Sequence, residues 1–448
     1  MADRVSRPSL WRRYLDFPLI WKLAVGLVAG AAVGLIVGEP AAALQPLGDV
    51  FLRLLQMLVM PLVLVTLIAG VSAITPARLG GIGLKVLVFY LVTSALAITV
   101  GLVLALAVSP GAGLAAPGQS GEEPEPAPPV GETLLGIIPE NPFAALAEGN
   151  VLAVMFAAIA AGIALAFMRS SSDERIRGLG ELLRRGVDAG VELVFLIVRG
   201  VLQYAPIGVF ALIAAVMAET GVEALLPLAK LTGVVYGGVA VQIGVYVGLL
   251  ALFRVGLRRF FGAARDPMVM AFATRSSSGT LPVSTRAARR MGVDEGVYSF
   301  TLPLGATVNM DGTAIYVGAA TVFVANVAGV ELTLAQLLMV VLVGVLASIG
   351  TAGVPGAGLI MLSLAVSQAG LPFAPVALVA GIDAILDMVR TMCNVTGDLS
   401  ATRIIAGTER GMVHEPDEDG PAESEPGAGA DSAEPPAAPA GGHRQQPS

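Results

Sequence analysis

Apolar runs at about 17–38, 45–74, 83–109 and 143–168, a long fifth interrupted near "QYAPIG" and ending near 218, and a sixth at about 223–253 leave this chain few folds to choose from. A segment of about 20 apolar residues is long enough to cross a bilayer as a helix. Charged residues make up only 14% of the 448, against about 25% in soluble domains. The chain therefore reads as an all-α, polytopic membrane protein. Arg4, Arg7, Arg12 and Arg13 precede the first run. That pattern is also the start of a signal peptide, but the run exceeds an h-region of roughly 7–15 residues and fits a spanning helix. The positive-inside rule then puts the N-terminus in the cytoplasm.

Net charge of −7 gives no nucleic-acid footprint, because much of it lies in two acidic, Pro-rich segments, 110–150 and the tail after about 411. Both are expected outside the bilayer and disordered by composition, wholly or in part. The lone Cys393 and two late histidines supply neither a disulfide nor a His-rich metal site. There is no P-loop spacing, so ATP-driven pumping is disfavoured.

The second half is less regular. Residues 260–290 hold "RSSSGTLP" between basic clusters on both sides. A crossing helix would put one cluster outside, so a hairpin dipping in from the cytoplasm is the economical reading. Residues 291–389 contain no Lys or Arg. An apolar segment at about 297–326 is broken by "NMDGT", and another at about 333–372 by "SIGTAGVPGAG". The second break suits a hairpin from the other side. The expectation is eight spanning helices and two opposed re-entrant hairpins. Paired interruptions of this kind point to a transporter site built on inverted repeats.

A final helix, about 375–407, carries Asp383, Asp387, Arg390, Asn394 and Asp398 at steps of four, three, four and four, which is one face, with Thr391 beside them. Intramembrane charges are costly and usually functional. Arg390 is a fork suited to a carboxylate, Asp387 suits an ammonium, and Asn394 suits a carboxylate oxygen. The Ser276–Ser278 and Gly353–Gly358 breaks offer helix N-termini that favour anions. Asp311, Asp398, Asn309 and backbone carbonyls freed at the "NMDG" break suit hard cations such as sodium. Each group has a plainer role. Asp387 and Arg390 form an ion pair at i,i+3, the serines cap an ordinary loop, the glycines permit close packing, and Tyr90 and Thr93 bridge helices. An intramembrane aspartyl protease using Asp311 is a rival from another class.

Four segments, "ATRSSSGTLPVS", "LPLGATVNMDGTAIY", "SIGTAGVPGAG" and "DAILDMVRTMCNVTGDL", resemble the signature segments of the dicarboxylate/amino acid:cation symporters, with "IPENPFAAL" and "YAPIGVFALI" in support. The likeness is nearest to the archaeal sodium-coupled aspartate transporters and spans nearly the whole chain. It implies a homotrimer in the cell membrane, both termini cytoplasmic, with no enzymatic activity and no cofactor beyond coupling sodium ions. It also implies a fixed scaffold, 17–82 and 143–220, and an elevator-like transport domain, 83–110 and 221–410. Segments 1–16, 111–142 and 411–448 would be the N-terminus, an external loop and the cytoplasmic tail.

The resemblance further implies roles. Arg390 and Thr313 would hold a side-chain carboxylate, Asp387 an amino group, and Asn394 with Ser277 and Ser278 a main-chain carboxylate. Val354, Pro355, Gly356, Ala357 and Gly358 would form a gate, and Arg275, Ser276, Met310, Asp383 and Thr391 would complete the substrate site. Gly305, Asn309, Asn394 and Asp398 would make one sodium site. Thr307, Ser348, Ile349 and Thr351 would make a second, and Tyr90, Thr93, Ser94, Asn309 and Asp311 a third. Arg390 together with Asp387 favours aspartate or glutamate. Met388 and Arg275 depart from potassium-coupled members, so no potassium counter-transport is expected. A proton-coupled glutamate or C4-dicarboxylate carrier is the alternative.

Overall fold

The computed structural model describes residues 17–73, 79–114, 138–348 and 356–414. Fourteen α-helices account for most of these, and the described residues hold no β-sheet, only an isolated bridge between Val293 and Val413. In chain order they are α1 (Leu19–Val37), α2 (Gln45–Ala73), α3 (Leu84–Val108), the short α4 (Pro142–Glu148), α5 (Val151–Arg169), α6 (Glu174–Thr220) and α7 (Leu225–Leu252). Then come α8 (Leu257–Thr274), α9 (Ser277–Arg290), α10 (Glu295–Val308), α11 (Asp311–Val327), α12 (Leu334–Ser348), α13 (Ala357–Gln368) and α14 (Val376–Thr408). Among the described residues, five helical stretches are long and apolar enough to cross a membrane: Glu39–Ala73, Gly81–Val108, Glu174–Ala218, Gly221–Leu252 and Glu295–Val327. The protein is thus a multi-pass, nearly all-helical membrane protein.

Five helix starts are set by side-chain caps. Asn141, Asn150, Asp173, Ser276 and Asp294 each accept a backbone N–H from the first turn of α4, α5, α6, α9 and α10 respectively. One expectation fails here. The "QYAPIG" segment does not interrupt the fifth region, because α6 runs unbroken for 47 residues with Pro206 inside it. At about 1.5 Å per residue that is roughly 70 Å, well beyond a hydrocarbon core of about 30 Å. Proline survives inside a helix when the packing around it compensates the lost bond.

Two clusters of helices emerge from the packing. In one, α1 and α2 both lie along α6, and α5 packs on α2. In the other, α14 is surrounded by α7, α8, α10 and α11, while α3 crosses α11. α13 packs against both α2 and α11, joining the clusters.

Small residues set the closest crossings. Gly26, Gly30 and Gly34 recur every four residues along α1, and a Cβ at each would collide with the carbonyl oxygen of Pro206, Phe210 or Ala214 of α6. The backbones therefore touch, as in the small-xxx-small packing of membrane helices. Gly101 of α3 and Gly318 of α11 do the same reciprocally, meeting the carbonyls of Ile315 and Ile98. We expect Gly30→Leu to separate α1 from α6, lowering the melting temperature in detergent far more than Gly233→Leu, where a Cβ meets nothing.

Candidate functional site

The polar face of α14 meets the broken centre of the second cluster. Between α10 and α11, Asn309 and Met310 leave helical geometry (φ −99°, ψ 87° and φ −113°, ψ 49°). The break opens backbone groups to side chains. Asn394 Oδ1 accepts the Gly312 N–H at 2.7 Å, while its Nδ2 donates to Met310 Sδ at 3.1 Å and Thr313 Oγ1 at 3.4 Å. A Cβ on Gly312 would strike the Arg390 backbone, so only glycine lets α11 approach this closely.

Arg390 has no solvent exposure. Its Nη1 donates to Asp383 at 2.8 Å and its Nη2 to Asp387 at 2.9 Å. The guanidinium carbon sits 3.9 Å from the Tyr316 ring centre, a cation–π contact. Nε, by contrast, is buried without a partner. The helical spacing alone indicated the Asp387 pair. The Asp383 bond, seven residues away, closes a triad around the arginine. Asp387 also accepts the Gly356 N–H at 3.4 Å, and Gly358 packs so tightly that a Cβ would lie 2.7 Å from Arg390 Nη2. Thr391 turns back to the Asp387 carbonyl at 2.8 Å.

The break between α8 and α9 lies near the same aspartates. Arg275 adopts the left-handed conformation (φ 56°), is buried, and lines a cleft with Gly356 and Asp383 against Leu19, Phe51 and Leu202 of the first cluster. Ser276 caps α9, accepting the Gly279 N–H at 3.0 Å. Ser277 Oγ is buried and unpartnered, whereas Ser278 is exposed. Both interrupted regions therefore converge on Asp383 and Asp387. Of the expected gate, Gly356, Ala357 and Gly358 are placed here, while Val354 and Pro355 fall outside the described residues.

Oxygen-rich clusters lie deeper. Asn309 Nδ2 donates to Asp398 Oδ1 at 2.9 Å and to the Asn394 carbonyl at 3.3 Å, leaving its own Oδ1 buried and unpaired. Gly305 sits against Asp398 and the Tyr90 hydroxyl, and that hydroxyl donates to the Thr301 carbonyl at 3.1 Å. Asp311 is fully buried and accepts from Ser94 (2.7 Å), Tyr246 (2.6 Å) and Gln242 (2.9 Å). Thr93 lies beside it, its hydroxyl turned to the Tyr90 carbonyl. The Tyr90 ring thus leads toward Asp398 rather than Asp311. A Cβ on Gly397 would lie 2.5 Å from Asn309 Nδ2 and 2.6 Å from the Tyr246 hydroxyl, so the two clusters abut there. Of the expected second group, two residues are described. Thr307 bonds the Leu304 carbonyl, Ser348 bonds that of Val345 and lines a small cavity with Met310 and Thr313, and Ile349 and Thr351 lie outside the described residues.

Gln242, Tyr246 and Tyr316 were not singled out from sequence. A polar side chain in the apolar α7 is a signal in its own right, but a single residue makes no stripe.

An intramembrane site of charged and amide groups at helix breaks defines an ion-coupled membrane carrier. The chain belongs to the sodium:dicarboxylate symporter family, which matches residues 19–408. It is 33% identical over 407 residues to the proton/sodium-glutamate symport protein of Bacillus caldotenax, covering 87% of this chain and 94% of that one. It is 31% identical over 416 residues to the proton/glutamate-aspartate symporter of Escherichia coli (strain K12), covering 88% and 94%. It is likewise 31% identical over 419 residues to the C4-dicarboxylate transport protein of Rhodopseudomonas palustris (strain BisB5), covering 92% of each. These relatives are transporters, not enzymes, which removes the protease reading.

Removing one member of a buried ion cluster costs about 3–5 kcal/mol by leaving its partners uncompensated. Arg390→Met, which strands Asp383 and Asp387, should therefore lower the melting temperature sharply. The triple Asp383→Asn, Asp387→Asn, Arg390→Met variant should recover much of that loss.

Proposed function

We propose that this protein is a secondary active symporter that takes up an acidic amino acid, L-aspartate ahead of L-glutamate, coupled to sodium. The observation that carries this reading is the Asp383–Arg390–Asp387 triad, placed where the two helix breaks converge. An acidic amino acid offers groups that exchange with those of the triad. Its side-chain carboxylate replaces an aspartate on the Arg390 fork, with Thr313 assisting, and its ammonium replaces the arginine at Asp387. Arg390, Asp387 and the substrate's side-chain carboxylate and ammonium each keep a counter-charge, which limits the desolvation cost of opening the site. Asn394 and the Ser277 hydroxyl bind the main-chain carboxylate, and the segment leading into α13 closes over it.

Sodium is assigned to the oxygen groups around Asp311 and around Asp398, Asn309 and Asn394. Hard cations take oxygen ligands, and broken helices supply carbonyls as well. Ser348 and Thr307 belong to a further site in this proposal, completed by Ile349 and Thr351. The mutual packing of α1, α2, α5 and α6 supports a scaffold beside a moving transport domain. A homotrimer with both termini cytoplasmic completes the proposal.

The second reading is proton coupling, with glutamate or a C4-dicarboxylate as cargo. Relatives named for proton/glutamate-aspartate symport and for C4-dicarboxylate transport favour it. Uptake of labelled L-aspartate into proteoliposomes separates the two. Concentrative uptake only under an inward sodium gradient is expected. Equal uptake under a proton gradient alone would overturn the sodium assignment. In the same assay Arg390→Cys should lose aspartate uptake at least tenfold, and Asp398→Asn should raise the sodium needed for half-maximal uptake. Unchanged aspartate affinity in the first, or an unaltered sodium response in the second, removes that residue from its role.

A further inference from the structure

Gln242 is the one side chain of α7 that reaches the Asp311 carboxylate through an amide. It has no solvent exposure. Its Nε2 donates to Asp311 Oδ2 at 2.9 Å and leans on the Thr93 carbonyl at 3.5 Å. A carboxylate and a carbonyl can only accept, so both contacts fix the amide nitrogen on that side. The Oε1 atom is buried without a hydrogen-bond partner. A buried acceptor left unpaired is unfavourable. A second orphan, Asn309 Oδ1, belongs to the neighbouring cluster that meets this one at Gly397. Asp311 itself is held entirely by neutral donors, with no cationic side chain among its hydrogen-bond partners. The side chains that hold Asp311 and Asp398 thus each carry an unpaired carbonyl oxygen, and oxygen acceptors around buried carboxylates suit a small, hard cation.

We infer that Gln242 is a cation-selecting residue of the Asp311 site, its Nε2 fixing the carboxylate and its Oε1 serving as an additional oxygen ligand for sodium. The inference rests on the sodium-coupled reading and deepens it by extending the ion site onto α7. A role limited to packing would make any substitution cost stability alone. A ligand role makes the sodium response itself depend on the atom at Oε1.

The test uses the purified full chain, titrated with sodium chloride against choline chloride at constant ionic strength and followed by thermal melting. Sodium-driven aspartate uptake in proteoliposomes is measured in parallel. Gln242→Met keeps the length and removes both polar atoms. It should raise the half-saturating sodium concentration at least tenfold in both assays, with maximal uptake at saturating sodium within a few-fold of wild type. Gln242→Glu restores an oxygen and adds charge, and should bring half-saturation to the wild-type value or below. Should Gln242→Met not accumulate, Gln242→Asn, which withdraws the amide by one methylene, carries the same comparison. Wild-type-like half-saturation in Gln242→Met or Gln242→Asn, in a protein whose wild type responds to sodium, would overturn the ligand role and leave sodium coupling standing. A wild type that gives no sodium response in either assay would fail the sodium-coupled reading itself.

Discussion

A guanidinium with no access to water persists inside an apolar bundle only if anions meet it, and Arg390 draws two of them onto its own helix. Much of the centre is arranged around that requirement. Asp383 and Asp387 must stand on the face of α14 that holds Arg390, which fixes the rotation of the helix. The Tyr316 ring must lie flat against the cation, which fixes α11. Glycine must stand at Gly312 and Gly358, because any larger residue would press on the arginine or its backbone. The break before α11 and the start of α13 are therefore drawn to the same point by a single charge.

The same logic runs through the oxygen clusters with the sign reversed. Asp311 and Asp398 are buried carboxylates, and neutral donors from α3, α7 and the Asn309 break surround them. Those donors orient the carboxylates without neutralising them. Charge that a fold orients but does not neutralise is available to a mobile ion, which is the physical content of calling such a protein a symporter.

The sequence disclosed these features unevenly. Helix ends were legible where a polar or flexible residue interrupts an apolar run, so the breaks at Arg275–Ser276 and Asn309–Met310 fall where the "RSSSGTLP" and "NMDGT" segments indicated. The α14 stripe was legible because five polar residues keep helical spacing. Pro206 misled, since a proline marks a break in water but not necessarily inside a packed membrane bundle. Gln242 and Tyr246 escaped notice because their partner, Asp311, is distant in sequence and only the crossing of α7 and α11 joins them. Arg390 was legible as a charge on that stripe, but its closure by Asp383 depends on side-chain reach across two helical turns, which spacing does not encode.

The Asp383–Arg390–Asp387 triad carries two carboxylates against one guanidinium. With all three ionised, an unloaded site holds one uncompensated negative charge, and a bound acidic amino acid, itself singly negative, adds another unless cations accompany it. A unit charge displaced through the full field of a membrane at 100 mV exchanges about 2.3 kcal/mol with the potential. If the site moves relative to the bilayer, the return of the empty carrier is then an electrical event. Charge displacement currents would report the empty half of the cycle as directly as isotope flux reports the loaded half.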